Sequence, residues 1–118
     1  MKHAAALAVF ASLVTACGPS AEDEKMMETK MELENARTSI FQDNLGDCDA
    51  LETQFVAWSE ENQADLKKMN AWWGDLGDGA KDALIEKHKA DWDKQTGALG
   101  MAMLKCPDAT KKGMKAGL

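Results

Sequence analysis

Six residues, Gly74-Asp75-Leu76-Gly77-Asp78-Gly79, constrain what this chain can fold into more than any other stretch. Three glycines in so short a run stop a helix and turn the backbone, and both flanks carry a helical pattern. From Asp47 onward, apolar residues fall at Cys48, Leu51, Phe55, Trp58, Leu66, Met69 and Trp73, spaced by threes and fours and interrupted only at Asn62. That spacing predicts an amphipathic helix of about 26 residues, about 39 Å long. Asp49 and Glu52 supply an Asp-x-x-Glu start signal of the capping-box kind. Beyond the turn a second helix is expected from Ala80 to Lys105, with Asp78 as its N-cap. Its seam carries Leu84, Ile85, His88, Trp92, Leu99, Met103 and Cys106. Pro107 ends it, lacking an amide and disfavouring helix at the residue before.

Composition fixes the class. The 118 residues suit one small domain, and Tyr is absent while Ala, Leu, Met, Glu and Lys abound. An all-α fold is expected. A net charge of −6 leaves no basic stripe to neutralise phosphates, which excludes nucleic acid as a partner. Apolar residues at 45% exclude wholesale disorder, and charged residues at 29% argue against an integral membrane protein.

The first residues stand apart. Lys2 and His3 form a basic head, and Ala4 to Ala16 is a run of 13 apolar or small residues. A membrane-spanning helix needs about 20, so the run reads as the core of an export signal. It ends in Val14-Thr15-Ala16-Cys17, which resembles the lipobox of bacterial lipoproteins. The resemblance implies diacylation of the Cys17 thiol, cleavage before it and acylation of the new amino terminus; otherwise this is an ordinary secretory signal with an incidental Cys17. Gly18 stands where an Asp would resemble the inner-membrane retention signal, so the periplasmic face of the outer membrane is favoured. Loss of residues 1–16 removes Lys2 and brings the net charge to −7.

With Cys17 carrying lipid, Cys48 and Cys106 remain as a pair in an oxidising compartment, where a disulfide is expected. Folding the two helices about Gly77 sets Cys48 against Cys106, Leu51 against Met103, Phe55 against Leu99 and Met69 against Ile85. The expectation is an antiparallel helical hairpin stapled at its open end. A metal or redox role for the pair is disfavoured by the 57 intervening residues and the lack of a Cys-x-x-Cys.

Glu22 to Leu45 is helical too, with Met26, Thr29, Leu33, Ala36 and Ile40 as a weak stripe, Phe41 and Leu45 beside it, and an acidic first turn. Gly46 stops this helix and Asp47 caps the next. A three-helix up-down-up bundle follows, or else a kinked continuation that leaves this part as a stalk. Gly97 and Gly100 either let the first helix approach closely, the preferred reading, or mark a break. The expected organisation is a leader over 1–16, an acylated tether over 17–21, a helical domain over 22–108 and a flexible basic tail over 109–118. In the bundle, Trp72, Trp73 and the turn lie at the lipid-anchored end, where they either rest at the membrane interface or plug the bundle.

Little in the sequence suggests chemistry. His88 with Asp91 can be imagined as an acid–base pair, but a seam-edge histidine bonded to a carboxylate is the commoner arrangement. Asp43, Asp47, Asp49 and Glu52 lack the pattern of a calcium loop. Seven methionines survive processing: Met26, Met27, Met31, Met69, Met101, Met103 and Met114. Thioethers suit soft metals, yet Met101 and Met103 diverge by about 200° on a helix and cannot chelate one ion. Packing, with Met101 facing the first helix, is the preferred reading. Lys111, Lys112 and Lys115 make the tail basic, suited to anionic head groups or wall polymer, though it lacks the terminal Lys of the murein lipoprotein.

The expectation is therefore a non-enzymatic binding or scaffold module without cofactor or metal, anchored by lipid at Cys17 and meeting another envelope protein. Its candidate partner face mixes Glu60, Glu61, Lys67 and Lys68 with Glu86, Lys87, Lys89 and Asp93. The alternative is soft-metal or small-ligand binding through Met, His88 and the Trp cluster.

Overall fold

The computed structural model describes residues 18–118; the expected export signal over 1–16 and the expected acylation site Cys17 lie outside them. The fold is all-α, with no strand among the described residues. Its helices are α1 Ala21–Asp43, α2 Cys48–Glu61, α3 Gln63–Asp75, α4 Asp78–Lys87, α5 Lys89–Lys105 and α6 Pro107–Ala116. Three of the boundaries are one-residue breaks, at Asn62, His88 and Cys106. At Asn62 (φ −104°, ψ 15°) and His88 (φ −111°, ψ 28°) the backbone leaves helical geometry. Hydrogen bonds nevertheless cross both, with Leu66 N donating to Asn62 O at 2.9 Å and Trp92 N to His88 O at 2.9 Å. The Asn62 amide also donates back to Trp58 O at 2.8 Å, competing with the main-chain ladder there. The two expected long helices are thus kinked arms.

Local chemistry sets the ends. Ser20 and Asp23 form a reciprocal capping box at the start of α1. Asp47, rather than the Asp49 signal, caps α2 by accepting from Ala50 N at 3.1 Å. Asn44, closing α1, exchanges amide hydrogen bonds with Gln54 of α2 at 3.0 and 3.4 Å. Gly77 is the N-cap of α4 and offers no side chain, so Asp78 is the first helical residue instead of the expected cap. Its charge still complements the helix dipole.

The Cys48–Cys106 disulfide is present, with Cα atoms 5.4 Å apart. The packing it organises differs from the expected register. The closest helix pair is α2 with α6, followed by α1 with α5, and α1 also packs on α2. On α5 the buried face is Gln95, Ala98, Ala102 and Cys106, one residue removed from Leu99 and Met103. Met103 is 37% exposed, Leu104 76%, and Met101, expected to face α1, 41%. The alanines win this face because they let the α1 backbone approach, with Phe41 filling the space beside them. On α1 the seam likewise shifts, by one or two positions, to Met27, Met31, Thr38 and Phe41; Thr29 and Ala36 are exposed. Gly97 and Gly100 face open space and mediate no close approach.

The segment expected as a flexible tail over 109–118 is α6 for most of its length. Pro107 ends one helix and serves as first residue of the next, where its missing amide costs nothing. Cys106, Ala109, Thr110, Gly113 and Gly117 recur at helical spacing and are all buried. This small-residue stripe runs parallel to α2 at the 58-residue offset of the disulfide, so that Gly113 lies under Phe55 and Gly117 beside Ser59. Lys112 reaches Glu52 at 3.2 Å alongside.

Two predictions follow from this packing. A Cβ at Gly113 would overlap the Phe55 ring, whereas one at Gly97 or Gly100 meets nothing within 4 Å. Gly113→Ala should therefore destabilise by about 1–3 kcal/mol through overpacking, while Gly97→Ala and Gly100→Ala stabilise by about 0.5–1 kcal/mol each. Urea unfolding separates the two classes, and equal effects at all three sites would contradict the packing. The double change Cys48→Ala with Cys106→Ala should cost about 4 kcal/mol in the chain-entropy model; an unchanged unfolding midpoint would show that the bridge constrains nothing.

Candidate functional site

The start of α1, the end of α3 and the start of α4 meet at one end of the molecule, where large side chains hold the backbones apart. Met27, Met31 and Leu84 are buried there beneath half-buried Trp72, Trp73, Leu76 and Trp92. The Trp73 and Trp92 rings lie 5.5 Å apart at 32°, and Trp72 and Trp73 5.7 Å apart. Lys30 stands 5.5 Å from the Trp73 ring and Lys81 5.9 Å, within cation–π range. Lys87 of α4 ties to Glu24 of α1 at 2.7 Å. Both tryptophans singled out in the sequence therefore pack against the bundle end while keeping part of each ring exposed.

Trp72 is fixed by an acid. Its indole N–H donates to Asp23 Oδ1 at 3.0 Å, and Asp23 Oδ2 accepts from Ser20 N at 3.1 Å. The indole bond first, and the Ser20 amide after it, hold the Asp23 carboxyl below its ordinary 3.8. One carboxylate thus caps α1 and orients a tryptophan of α3.

Other residues considered from sequence do not converge. His88 is half-buried at the kink between α4 and α5. Met27 and Met31 belong to the tryptophan end, whereas Met101, Met103 and Met114 stand partly exposed on α5 and α6. Among the described residues, no group of three or more His, Cys, Asp or Glu side chains is placed to hold a metal ion. The eight charged residues of the candidate partner face are all exposed, with Lys89 paired to Asp93 at 3.4 Å.

A second feature was not foreseen from sequence. Where α2 kinks into α3 at Asn62, a cavity of about 130 Å³ opens between that kink, the middle of α1 and the end of α6. Glu34, Arg37, Ser59 and Asn70 contribute polar side chains to its lining, and Trp58, Leu66 and Met114 apolar wall. Lys30 Nζ takes Glu34 Oε1 at 2.7 Å, leaving Arg37 Nη2 3.6 Å from the same oxygen. The Arg37 side chain is only 15% exposed. Burial pulls its guanidinium below the ordinary value, and Glu34 offsets this in part. Arg37 Nε and Ser59 Oγ are both buried without a hydrogen-bond partner. The available signal was compositional: Arg37 is the one arginine of the chain, three residues from Glu34.

No protein-family model matches the chain, and no curated protein or solved structure does so either.

The Asp23–Trp72 bond gives a pH prediction. A carboxyl held below its unfolded value contributes stability above pH 3.8 and loses it as pH falls through the lower folded value. Trp72→Phe removes the main cause of that depression. It should raise the folded pKa of Asp23 and flatten the acid loss of stability, read from the Asp23 carboxyl shift in an NMR titration. An unchanged titration in the variant would contradict the assignment.

Proposed function

We propose that this protein is a small lipid-anchored module of the bacterial cell envelope, facing the periplasm and acting by binding or scaffolding rather than by catalysis. Cys17 is the acylated residue, cleavage falls after Ala16, and the outer membrane is the favoured site because Gly18 follows the cysteine. The observation that carries the reading is positional. Ser20, three residues after Cys17, caps α1, and Asp23 of its first turn holds Trp72. The tryptophan end is therefore the end at which the chain departs toward Cys17.

In this arrangement a short tether holds the partly exposed faces of Trp72 and Trp73 near lipid head groups, where indole is favoured. No helix among the described residues is long and apolar enough to cross a membrane; attachment in this reading comes from the acyl chains. Glu60, Glu61, Lys67 and Lys68 with Glu86, Lys87, Lys89 and Asp93 are exposed and in this reading offer a mixed-charge surface to an envelope protein.

Labelled palmitate should enter the wild-type protein in a bacterial host and be lost in Cys17→Ala, with the variant released from membranes. Equal labelling of both would overturn the anchor. Placed on phospholipid vesicles, the lipidated protein should show Trp emission quenched by bilayer-embedded quenchers, reduced in Trp72→Phe and Trp73→Phe. Absence of quenching would remove the membrane contact while leaving the anchor standing.

A further inference from the structure

We propose that the cavity beside Asn62 is a binding site for a small carboxylate carrying a short apolar group. Lys30, outside the cavity wall, adds a second cation beside the lining pair Glu34 and Arg37. Lys30 and Arg37 share the single carboxylate of Glu34, and Lys30 holds it at 2.7 Å while Arg37 stands 3.6 Å away, beyond hydrogen-bond reach. A guanidinium so far removed from water calls for an acceptor, because a buried charge without a full partner is costly. Arg37 Nε has none.

Ser59 gives a second, independent indication. Its residue is 1% exposed, its hydroxyl has no partner, and it lines the same cavity. Buried hydroxyls are normally satisfied. A carboxylate supplies acceptor oxygens for both Arg37 and Ser59, whereas a water filling the space supplies no countercharge.

Size and walls define the rest of the ligand. The cavity of about 130 Å³ is close to the about 150 Å³ pocket that holds benzene in an engineered core. That admits about six or seven heavy atoms. Trp58, Leu66 and Met114 line the apolar side, so a branched or aromatic stub fits where a longer chain does not. Lys30 neutralises Glu34, which keeps that acid from repelling the incoming anion.

The occupant is reached through side chains other than the acylated cysteine, so binding here and lipid attachment succeed or fail separately. The single arginine makes the test specific, since the full-length protein gives one Arg Nε–H cross-peak in a nitrogen-15 NMR spectrum. Titration with sodium isovalerate at constant ionic strength should shift that peak and the Leu66 methyls saturably in the millimolar range. Isovaleramide, the same shape without charge, and acetate, the same charge without the apolar group, should each bind at least about tenfold more weakly. Ser59→Ala should weaken isovalerate binding while keeping the reporter peak. Arg37→Gln should abolish it, read from the Leu66 methyls. If Arg37→Gln does not fold, the Ser59→Ala and amide comparisons carry the test. No saturable shift with isovalerate, or an equal response to isovalerate and its amide, would overturn the proposal and leave a cavity that holds water alone.

Discussion

The contact on which most of this structure depends is the ring of Phe55 lying against Gly113. Phe55 is 1% exposed and stands at the junction of three helices. Its ring meets Phe41 of α1 edge-on at 4.8 Å and 89° and lies 6.1 Å from Trp58 of its own helix. On its other side only a residue without a side chain leaves room. Seven residues earlier on each side, Cys48 and Cys106 fix the same offset covalently. One covalent and one steric constraint therefore set α6 alongside α2. The end of α6 then brings Met114, Gly117 and Leu118 over Trp58 and Ser59, which closes the Arg37 cavity.

The molecule has two halves built on opposite packing principles. Near the disulfide, Ala98, Ala102, Ala109 and Gly113 let helix backbones approach, and Phe41, Leu51 and Phe55 fill what remains. Toward the other end, Trp72, Trp73 and Trp92 cover Met27, Met31 and Leu84, and bulk keeps the helices apart. Close packing of small residues makes a rigid region, as interiors at crystal-like density are. Partly exposed indoles make an end suited to an interface. The cavity lies between the two regimes, where α2 kinks at Asn62 and neither kind of packing is complete.

Much of this was legible from local chemistry. The turn at Gly77, the cap at Asp47 and the all-α class follow from residue types at short range, and the Cys48–Cys106 pair from the count of cysteines left once Cys17 is set aside. The rotation of each helix was not legible. On α1, the Met26 and Met27 stripes lie on adjacent faces, and only tertiary contact with α3, α4 and α5 selects Met27 and Met31. On α5, scoring by hydropathy favours Leu99 and Met103 over Ala98 and Ala102, yet small volume, not hydropathy, decides which face an incoming backbone covers. The same blindness hid α6: its buried face is Ala109, Thr110 and Gly113, so a polar, Lys-rich segment reads as a frayed end. The cavity was further from view, since it is made by a kink, a buried arginine and the last turn of that unforeseen helix.

Proton NMR of the intact protein tests the central contact most directly. With the Phe55 ring against Gly113, the Gly113 Hα signals should be displaced upfield by the ring current and show strong cross-relaxation to the Phe55 ring protons, within a helical run of shifts from Pro107 to Ala116. Random-coil shifts across that segment, with no cross-peak between Gly113 and Phe55, would contradict it.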